Sequence, residues 1–162
     1  MFQEYDKAFA KYRNGLKIIP LPIICWDFHN FKNLELLSFD SVQKEWSEKV
    51  SFLKIVNNDK KDIIVTDKNF KIIFATKSIF SMTGYHSEEI IGKSPKIFQG
   101  ILTSEIARTK IRKAISNKLP FKELIVNHRK DGSTYLCEIE ALPKFNKNGE
   151  FLNYIAFERI AS

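Results

Sequence analysis

The segment from Asp62 to Ile160 constrains the fold most, because five strand-forming runs alternate there with residues typical of turns. Lys68 and Asn69 separate the first two runs and predict a hairpin. The last three runs are joined by polar segments that end in Gly132 and Gly149, which predicts a three-strand meander. The five runs are 63–67, 71–75, 121–129, 133–143 and 151–160. Together they predict an α+β domain with a five-stranded antiparallel sheet.

Three segments between the second and third runs carry residues that commonly begin or end helices. Gly84 and Gly92 each stand where glycine commonly ends a helix. Ser87 and Thr103 are placed to cap the free amides of the second and third helices. The predicted helices are 77–83, 87–91 and 103–117. The apolar side of the longest one contains Ile106, Ile111, Ala114 and Ile115.

A polar cluster at 57–61 separates this domain from an N-terminal region of different character. We therefore predict an N-terminal helical extension over 1–60 and a compact domain over 61–162. Asp40 and Gln43 resemble a helix-capping pair, and five apolar residues recur beside and after them at helical spacing. These residues are Val42, Trp46, Val50, Leu53 and Val56. The amphipathic helix that they predict either packs onto the parent domain or forms the seam of a dimer, and one helix face does not distinguish the two.

The composition is that of an ordinary globular protein, with 44% hydrophobic and 28% charged residues among 162. Cys25 and Cys137 have neither disulfide-framework nor zinc-site spacing, and two free thiols favour a reducing compartment. The longest apolar stretch contains Pro20 and Pro22 and is shorter than the roughly 20 residues of a membrane span. The N-terminus is acidic where a secretory signal is basic. We therefore predict a cytoplasmic protein.

The net charge of +7 permits attraction to phosphate groups, but basic and acidic residues are interspersed along the chain. We therefore predict neither a nucleic-acid partner nor a membrane partner. His29, His86 and His128 are dispersed, so no metal site is predicted. The sequence has no nucleophile placed with a base and no glycine-rich phosphate loop, so no catalytic residue and no enzymatic activity are predicted.

Five short motifs resemble those of PAS domains and follow one another in that family's order. They lie at 64–67, 82–85, 88–93, 99–100 and 129–132. The resemblance covers nearly all of 62–160 and implies the PAS fold, in which short helices lie on one face of the sheet. It also implies a sensory or signal-relay role, with a homodimer or a signalling protein as partner.

The stretch 92–100 most resembles the light-oxygen-voltage branch of PAS domains, whose members bind a flavin. Pro95 stands where the photoreceptors carry the cysteine that attacks the excited flavin, so no adduct is expected at this position. By resemblance, Lys96 and Arg112 are candidate phosphate partners of a flavin nucleotide, and Asn127 is a candidate ring contact. The candidate cofactor-binding residues are Lys96, Gln99, Arg112, Asn127, Cys137 and Glu158.

Two of these residues depart from the flavin-binding pattern. Cys137 and Glu158 stand where that branch has amide side chains, and a thiol or carboxylate does not supply an amide's paired donor and acceptor. No histidine lies on 103–117, where haem-binding PAS domains place their ligand, so haem is not expected. The sequence thus predicts a non-enzymatic PAS protein that acts by ligand binding or protein association. The alternatives are a flavin-binding redox or light sensor without adduct chemistry and a ligand-free dimerisation module.

Overall fold

Five strands form a single antiparallel sheet in the order β2-β1-β5-β4-β3 within residues 34–161, the part of the chain that this computed structural model describes. The strands are β1 (Asp62–Thr66), β2 (Ile72–Ala75), β3 (Phe121–His128), β4 (Thr134–Phe145) and β5 (Phe151–Ile160). The predicted α+β class and the five predicted strands are confirmed, with strand ends that differ by at most two residues. The predictions made for Pro20, Pro22, Cys25 and His29 lie outside the described residues.

The helices between β2 and β3 begin and end close to their predicted positions. Gly84 ends the first of them in the left-handed conformation, with φ of +73°. The caps of the next two lie one residue from the predicted ones, since His86 rather than Ser87 precedes one helix and Ser104 rather than Thr103 precedes the other. The carboxylate three residues into the second helix accepts the His86 backbone N–H at 2.9 Å. These helices are α2 (Ile79–Thr83), α3 (Ser87–Ile90), a 3-10 helix (Pro95–Phe98) and α4 (Glu105–Ser116).

The inner face of the sheet, which these helices cover, carries the larger hydrophobic core. Its fully buried members come from the first hairpin, from the helices and from the meander. They include Ile64, Ile72, Ile79, Ile90, Phe98 and Ile125. Alternate residues of a strand point to opposite faces, so the other half of each strand is available to a second layer.

The prediction that Ile106 belongs to the buried side of the longest helix is wrong. Its side chain is 73% exposed, whereas Ala107 is buried and Ile111 packs against the inner core. In a helix of 3.6 residues per turn, the side centred between Ala107 and Ile111 points away from Ile106. Ile106 therefore faces water at the start of α4.

Residues 35–58 cover part of the opposite, outer face of the sheet and form a second core there. Helix α1 (34–42) contributes Phe39, which is completely buried, and Trp46 follows it at 3% exposure. The rings of Phe39 and Trp46 pack edge to face at 6.0 Å between centroids. The buried members of this core are Phe39, Trp46, Phe52, Ile55, Ile63, Val65, Phe74, Ile155 and Phe157. The division of the chain at residue 60 into an extension and a domain stays a prediction.

The prediction of one amphipathic helix that continues from Asp40 through Val56 is wrong. Helix α1 ends at 42, the chain turns over 43–51, and a second helical segment at 52–58 includes the π-helical turn Lys54–Asn58. The Gln43 side chain donates to Asp40 Oδ1 at 2.8 Å and accepts the Val50 N–H at 3.0 Å. Because Gln43 holds Val50 through its side chain, the predicted capping pair closes a turn instead of starting a helix.

The outer core also limits the predicted apolar stripe. Trp46 is buried, but Leu53 is 51% exposed in this chain and lies on the opposite side of the segment from Phe52 and Ile55. The sequence placed Trp46 and Leu53 on one helix face because they are spaced four and then three residues apart through Val50, but the turn between them breaks that face. Only part of the stripe therefore packs onto the sheet.

Candidate functional site

Four polar or titratable side chains lie together on the inner face of the sheet, within an otherwise mostly aliphatic core. Tyr135 and Cys137 alternate on β4, Asn127 is the β3 partner of Tyr135, and Glu158 lies on β5. Their exposed fractions are between 0% and 6%. We call Asn127, Tyr135, Cys137 and Glu158 the inner polar cluster. Tyr135 was not among the sequence-predicted site residues, although its position two residues before Cys137 was sufficient to place it on the same face.

Two atoms of the inner polar cluster make no well-formed hydrogen bond to any described residue, although the Asn127 amide lies close enough to the Tyr135 hydroxyl to offset part of the rise in its pKa. The two atoms are Asn127 Oδ1 and the Tyr135 hydroxyl, on side chains that are 2% and 6% exposed. The guanidinium of Arg129 stacks over the Tyr135 ring at 4.8 Å and donates to the Met82 carbonyl oxygen at 3.0 Å. Burial, together with the negative charge of Glu158, raises the pKa of Tyr135 well above its usual range. Tyr135 is therefore a neutral phenol at any physiological pH.

Cys137 and Glu158 contact each other across β4 and β5. The thiol donates to Glu158 Oε2 at 3.6 Å, and neither side chain reaches solvent appreciably. Burial raises the pKa of Glu158 to about 7, and the nearby Asp62 carboxylate adds to the rise. Burial and the Glu158 charge likewise raise the pKa of the Cys137 thiol. Cys137 is thus a protonated thiol, and Glu158 can exchange a proton near neutral pH.

Asp62 is the neighbour of Glu158 on β1 and is held by a separate set of hydrogen bonds. Its Oδ1 accepts from the Thr76 hydroxyl at 2.8 Å and from the Ser78 hydroxyl. Thr76 in turn accepts the Ile63 backbone N–H at 3.1 Å. These bonds fix an anion beside Glu158, which favours the neutral form of Glu158.

The structure does not bring the three remaining predicted site residues into the inner polar cluster. Arg112 is exposed on α4 and pairs with Glu105 at 3.6 Å. Lys96 is exposed and Gln99 is half-buried, at or just after the 3-10 helix. In the described part of the chain, no hydrogen bond or ion pair joins any of the three to the cluster. Lys96 and Arg112 therefore lie at the surface, and only Asn127, Cys137 and Glu158 share a buried location.

Pro95 begins the 3-10 helix, in a loop that is tied to the sheet. The position suits proline, since the first residue of a helix needs no backbone N–H donor. Ser94 precedes it, and the Ser94 hydroxyl accepts the Lys96 N–H at 3.4 Å. The loop before it is fixed to β2 by two backbone bonds at Ile72, of 2.9 and 2.7 Å. Residue 95 thus has a structural role as the start of a helix.

The loop after the 3-10 helix is held tightly against the edge strand β3. The Gly100 N–H donates to the Thr103 hydroxyl at 2.9 Å, and that hydroxyl donates to the Val126 carbonyl at 2.7 Å. Arg108 Nη2 donates to the Gly100 carbonyl at 2.5 Å. A Cβ atom at Gly100 would lie 2.5 Å from the His128 ring, so only glycine allows this approach without movement.

Two of the clefts formed by the described residues open at the surface, and neither is lined by a predicted site residue. One, of about 450 Å³, is lined by Asp62, Met82 and Arg159 together with 58–60. The other, of about 500 Å³, lies along β3 and β4. No group of three or more His, Cys, Asp or Glu side chains within residues 34–161 has the geometry of a metal site. Among the same residues, no helix is long and apolar enough to cross a membrane.

The residues present fit a flavin in part. The unpaired Oδ1 of Asn127 suits a ring N–H donor, which is the role that the resemblance assigned to it. Cys137 and Glu158 already bond to each other, and Arg112 pairs with Glu105, so these groups show no prepared site for a flavin phosphate or a second ring contact. Of the three predicted residues in the inner polar cluster, Asn127 is the one with a fully buried acceptor that makes no hydrogen bond among the described residues.

Comparison with known families gives a match to the PAS domain over residues 61–159. The chain is 35% identical over 88 residues to Protein TWIN LOV 1 of Arabidopsis thaliana, covering 54% of this chain and 22% of that protein. It is 33% identical over 110 residues to a blue-light photoreceptor of Listeria innocua, covering 66% of this chain and 43% of that protein. The chain therefore spans less than half the length of these curated relatives.

Solved structures give the same fold. The light-state structure of the blue-light photoreceptor Aureochrome1 LOV matches with a TM-score of 0.61 at 25% identity, over 69% of this chain and 90% of that one. A light-oxygen-voltage domain studied with a flavin analogue matches with a TM-score of 0.64 at 24% identity, over 70% of this chain and 87% of that one. The overall fold is thus shared with these two domains.

Proposed function

Because the chain belongs to the PAS domain family, we propose that it is a non-enzymatic sensory module that binds a small ligand between the sheet and helices α2 to α4. The observation that carries this proposal is a pair of buried polar atoms, Asn127 Oδ1 and the Tyr135 hydroxyl, which face each other on β3 and β4 and make no well-formed hydrogen bond to any described residue. A buried polar atom without a partner costs roughly 1–3 kcal/mol. A ligand that bonds to both atoms would remove that cost.

The two unpaired atoms define the chemistry of the ligand. Asn127 Oδ1 accepts a hydrogen bond, and the Tyr135 hydroxyl can donate or accept one. Ile125 and Phe98, which are both fully buried in the same core, offer only apolar contacts. A flat ring compound with an N–H beside a carbonyl group satisfies this arrangement. A phosphate or a carboxylate lacks the donor that Asn127 Oδ1 requires.

Strand β5 offers a route from the ligand to the outside of the domain. Glu158 points into the inner polar cluster, while its neighbour Phe157 belongs to the outer core, on which residues 35–58 pack. The Lys61 ammonium lies 6.0 Å from the Phe157 ring and pairs with Glu140 at 2.9 Å. A ligand that binds two arrangements of β5 with different affinity would therefore change how residues 35–58 pack. Association with a partner would follow from that change.

Native mass spectrometry of the freshly purified full chain tests the proposal, with Asn127→Leu as the variant. We expect a bound small molecule on the unsubstituted chain and a loss of affinity of roughly 5- to 150-fold in the variant, which corresponds to one buried hydrogen bond. Asn153→Leu is the matched control, because Asn153 is also buried with an unpaired Oδ1 but lies on β5 beside the outer-core residue Ile155. Equal occupancy in the Asn127 and Asn153 variants would contradict the proposal.

A flavin is the second candidate, and the specific observation that favours it is again Asn127, since its open Oδ1 is where the resemblance places a ring contact. When bound, a flavin supplies redox and light-dependent chemistry. Position 95 offers no sulfur for an adduct, and the Cys137 thiol is protonated and engaged with Glu158. Addition of flavin mononucleotide to the purified chain should give a protein-bound flavin spectrum whose bleaching needs an external electron donor. Bleaching without a donor would contradict this second candidate.

A dimerisation function without a ligand has its own supporting observation. Residues 35–58 pack over the outer face of β1, β2 and β5, whereas Leu124 and Leu136 on the outer face of β3 and β4 are 56% and 44% exposed. The part of the sheet that the described residues leave exposed can be buried against a second copy. Sedimentation of the full chain distinguishes dimerisation from ligand binding, because Leu124→Glu should halve the mass of a dimer. The same substitution should leave ligand occupancy unchanged. A monomeric unsubstituted chain would exclude the dimer.

A further inference from the structure

The three most exposed large apolar side chains among the described residues lie within six positions of one another. Ile101 is 96% exposed, Ile106 is 73% exposed and Leu102 is 64% exposed. Single exposed apolar residues are common, but a group of this kind marks an interaction site. We call Ile101, Leu102 and Ile106 the apolar tip.

The apolar tip is presented by a fixed piece of backbone. Gly100 and Thr103, which flank Ile101 and Leu102, are bound to β3 and to Arg108 by the hydrogen bonds described above. Ile106 lies in the first turn of α4, directly after the Ser104 cap. Since the loop is not free to fold its aliphatic side chains inward, they remain in water in the isolated chain.

Basic side chains follow the apolar tip along the same side of α4. Lys110 and Lys113 are four and seven residues after Ile106, and residues at these spacings share one face of a helix. They stand about 6 Å and about 10 Å behind Ile106 along the helix axis, at 1.5 Å per residue. Lys110 is 61% exposed, with Glu123 at 3.4 Å as its partner. The one acidic residue of the helix, Glu105, pairs with Arg108 and Arg112.

We propose that the apolar tip inserts into the interfacial region of an anionic membrane, with Lys110 and Lys113 at the level of the lipid phosphates. Shallow insertion of aliphatic side chains reaches about 5–10 Å into the headgroup boundary, which matches the setback of the two lysines. Few residues insert, so the binding is reversible and depends on anionic lipid. The tip has no aromatic side chain of the kind that dominates protein interfaces, which favours a lipid surface over a protein groove.

This inference reverses the expectation of no membrane partner, and the reason is the orientation of Ile106. The sequence placed Ile106 on the buried side of α4, so that no exposed apolar group accompanied the basic residues of this helix. With Ile106 outside, the same lysines follow an apolar group. The inference does not depend on the ligand proposed above, because the apolar tip and the inner polar cluster share no residue.

Co-sedimentation of the full chain with vesicles tests the inference. One set of vesicles contains phosphatidylcholine alone, and the other contains equal amounts of phosphatidylcholine and phosphatidylglycerol. We expect binding to the anionic set only, and a loss when ionic strength rises from about 0.1 M to about 1 M, which shortens the Debye length from about 10 Å to about 3 Å. Combined Lys110→Gln and Lys113→Gln should weaken binding by between about fivefold and about 30-fold.

The apolar contribution is tested with a serine variant at all three tip positions, and Leu119→Ser is the matched control because Leu119 is 54% exposed and lies beyond the other end of α4. The tip variant should lose vesicle binding and keep its melting temperature, while the control keeps both. Ile101→Trp should show a blue-shifted fluorescence with anionic vesicles. No sedimentation of the unsubstituted chain, or equal binding by the tip variant, would overturn the inference. A changed solution mass of the tip variant would assign the tip to a protein interface instead.

Discussion

Replacing Glu158 by Gln should change how the stability of the domain depends on pH. Glu158 is 4% exposed, and burial raises its pKa from 4.5 to about 7. The raised pKa means that the folded state favours the protonated carboxyl. The resulting stabilisation is fully present below pH 4.5 and is lost as pH rises through 7. Above both values, the ionised carboxylate destabilises the folded state by about 3 kcal/mol relative to its neutral form.

Glutamine keeps the shape of the neutral carboxyl and can still accept the Cys137 thiol, but it does not titrate. The Glu158→Gln chain should therefore equal the unsubstituted chain in stability near pH 4.5 and exceed it by up to about 3 kcal/mol at about pH 8. Such a difference is large beside a total stability of roughly 5–15 kcal/mol. Urea unfolding at a series of pH values between about 4.5 and about 8 measures it.

Glu138 provides a control of opposite sign on the other face of the sheet. Hydrogen bonds from Lys122 and then from Arg159 lower the pKa of Glu138 to about 2. Its contribution is present above the ordinary pKa of 4.5 and is lost as pH falls toward 2, so Glu138→Gln should leave the dependence between about pH 5 and about pH 8 unchanged. If the free energy of unfolding of the Glu158→Gln chain also differs from that of the unsubstituted chain by a constant amount over the same pH range, then Glu158 is not a buried carboxyl and the reasoning fails.

The structure supports two further stability predictions and one binding prediction. Trp46→Ala should lower the free energy of unfolding by roughly 3–5 kcal/mol, whereas Leu53→Glu should change it little because Leu53 is 51% exposed. Chemical unfolding of both variants measures the two changes. A large loss of stability in the Leu53→Glu chain would indicate instead that Leu53 lies in a dimer seam. Gly100→Ala should lower the free energy of unfolding by roughly 1–3 kcal/mol, because the added methyl group would contact the His128 ring. Adding His128→Ala to the same chain should restore most of that loss. If the effects of the two substitutions simply add, this explanation is wrong. Titration with duplex DNA and with RNA at physiological salt should show no sequence-specific binding.

The strands could be predicted from the sequence because their signals are local. Alternation of apolar residues and the glycine turns depend on neighbours within a few positions, and the five strands followed. The turn at 43–51 could not be predicted in this way, because it depends on the Gln43 side chain bonding to Val50, seven residues away. In the sequence, apolar residues keep a helical spacing through this segment, although the helix itself ends at residue 42.

All of the candidate site residues were assigned by resemblance, and the assigned residues lie together only where strand pairing fixes the face on which they stand. Asn127, Cys137 and Glu158 reach the same side because β3, β4 and β5 pair in a definite register. Lys96 and Arg112 were assigned by resemblance, and nothing local to them specified which way their side chains point. The orientation of Ile106 depends on which side of α4 packs against the sheet, and Ala107 and Ile111 form that side. Such tertiary choices are absent from a periodicity pattern.

A crystal structure of the freshly purified full chain tests most directly the claim that the inner polar cluster holds a ligand. We predict non-protein density between the sheet and helices α2 to α4, with one atom within hydrogen-bonding distance of Asn127 Oδ1 and another of the Tyr135 hydroxyl. The claim is contradicted if both atoms bond instead to ordered water or to protein groups and the space between the sheet and the helices is filled by side chains alone.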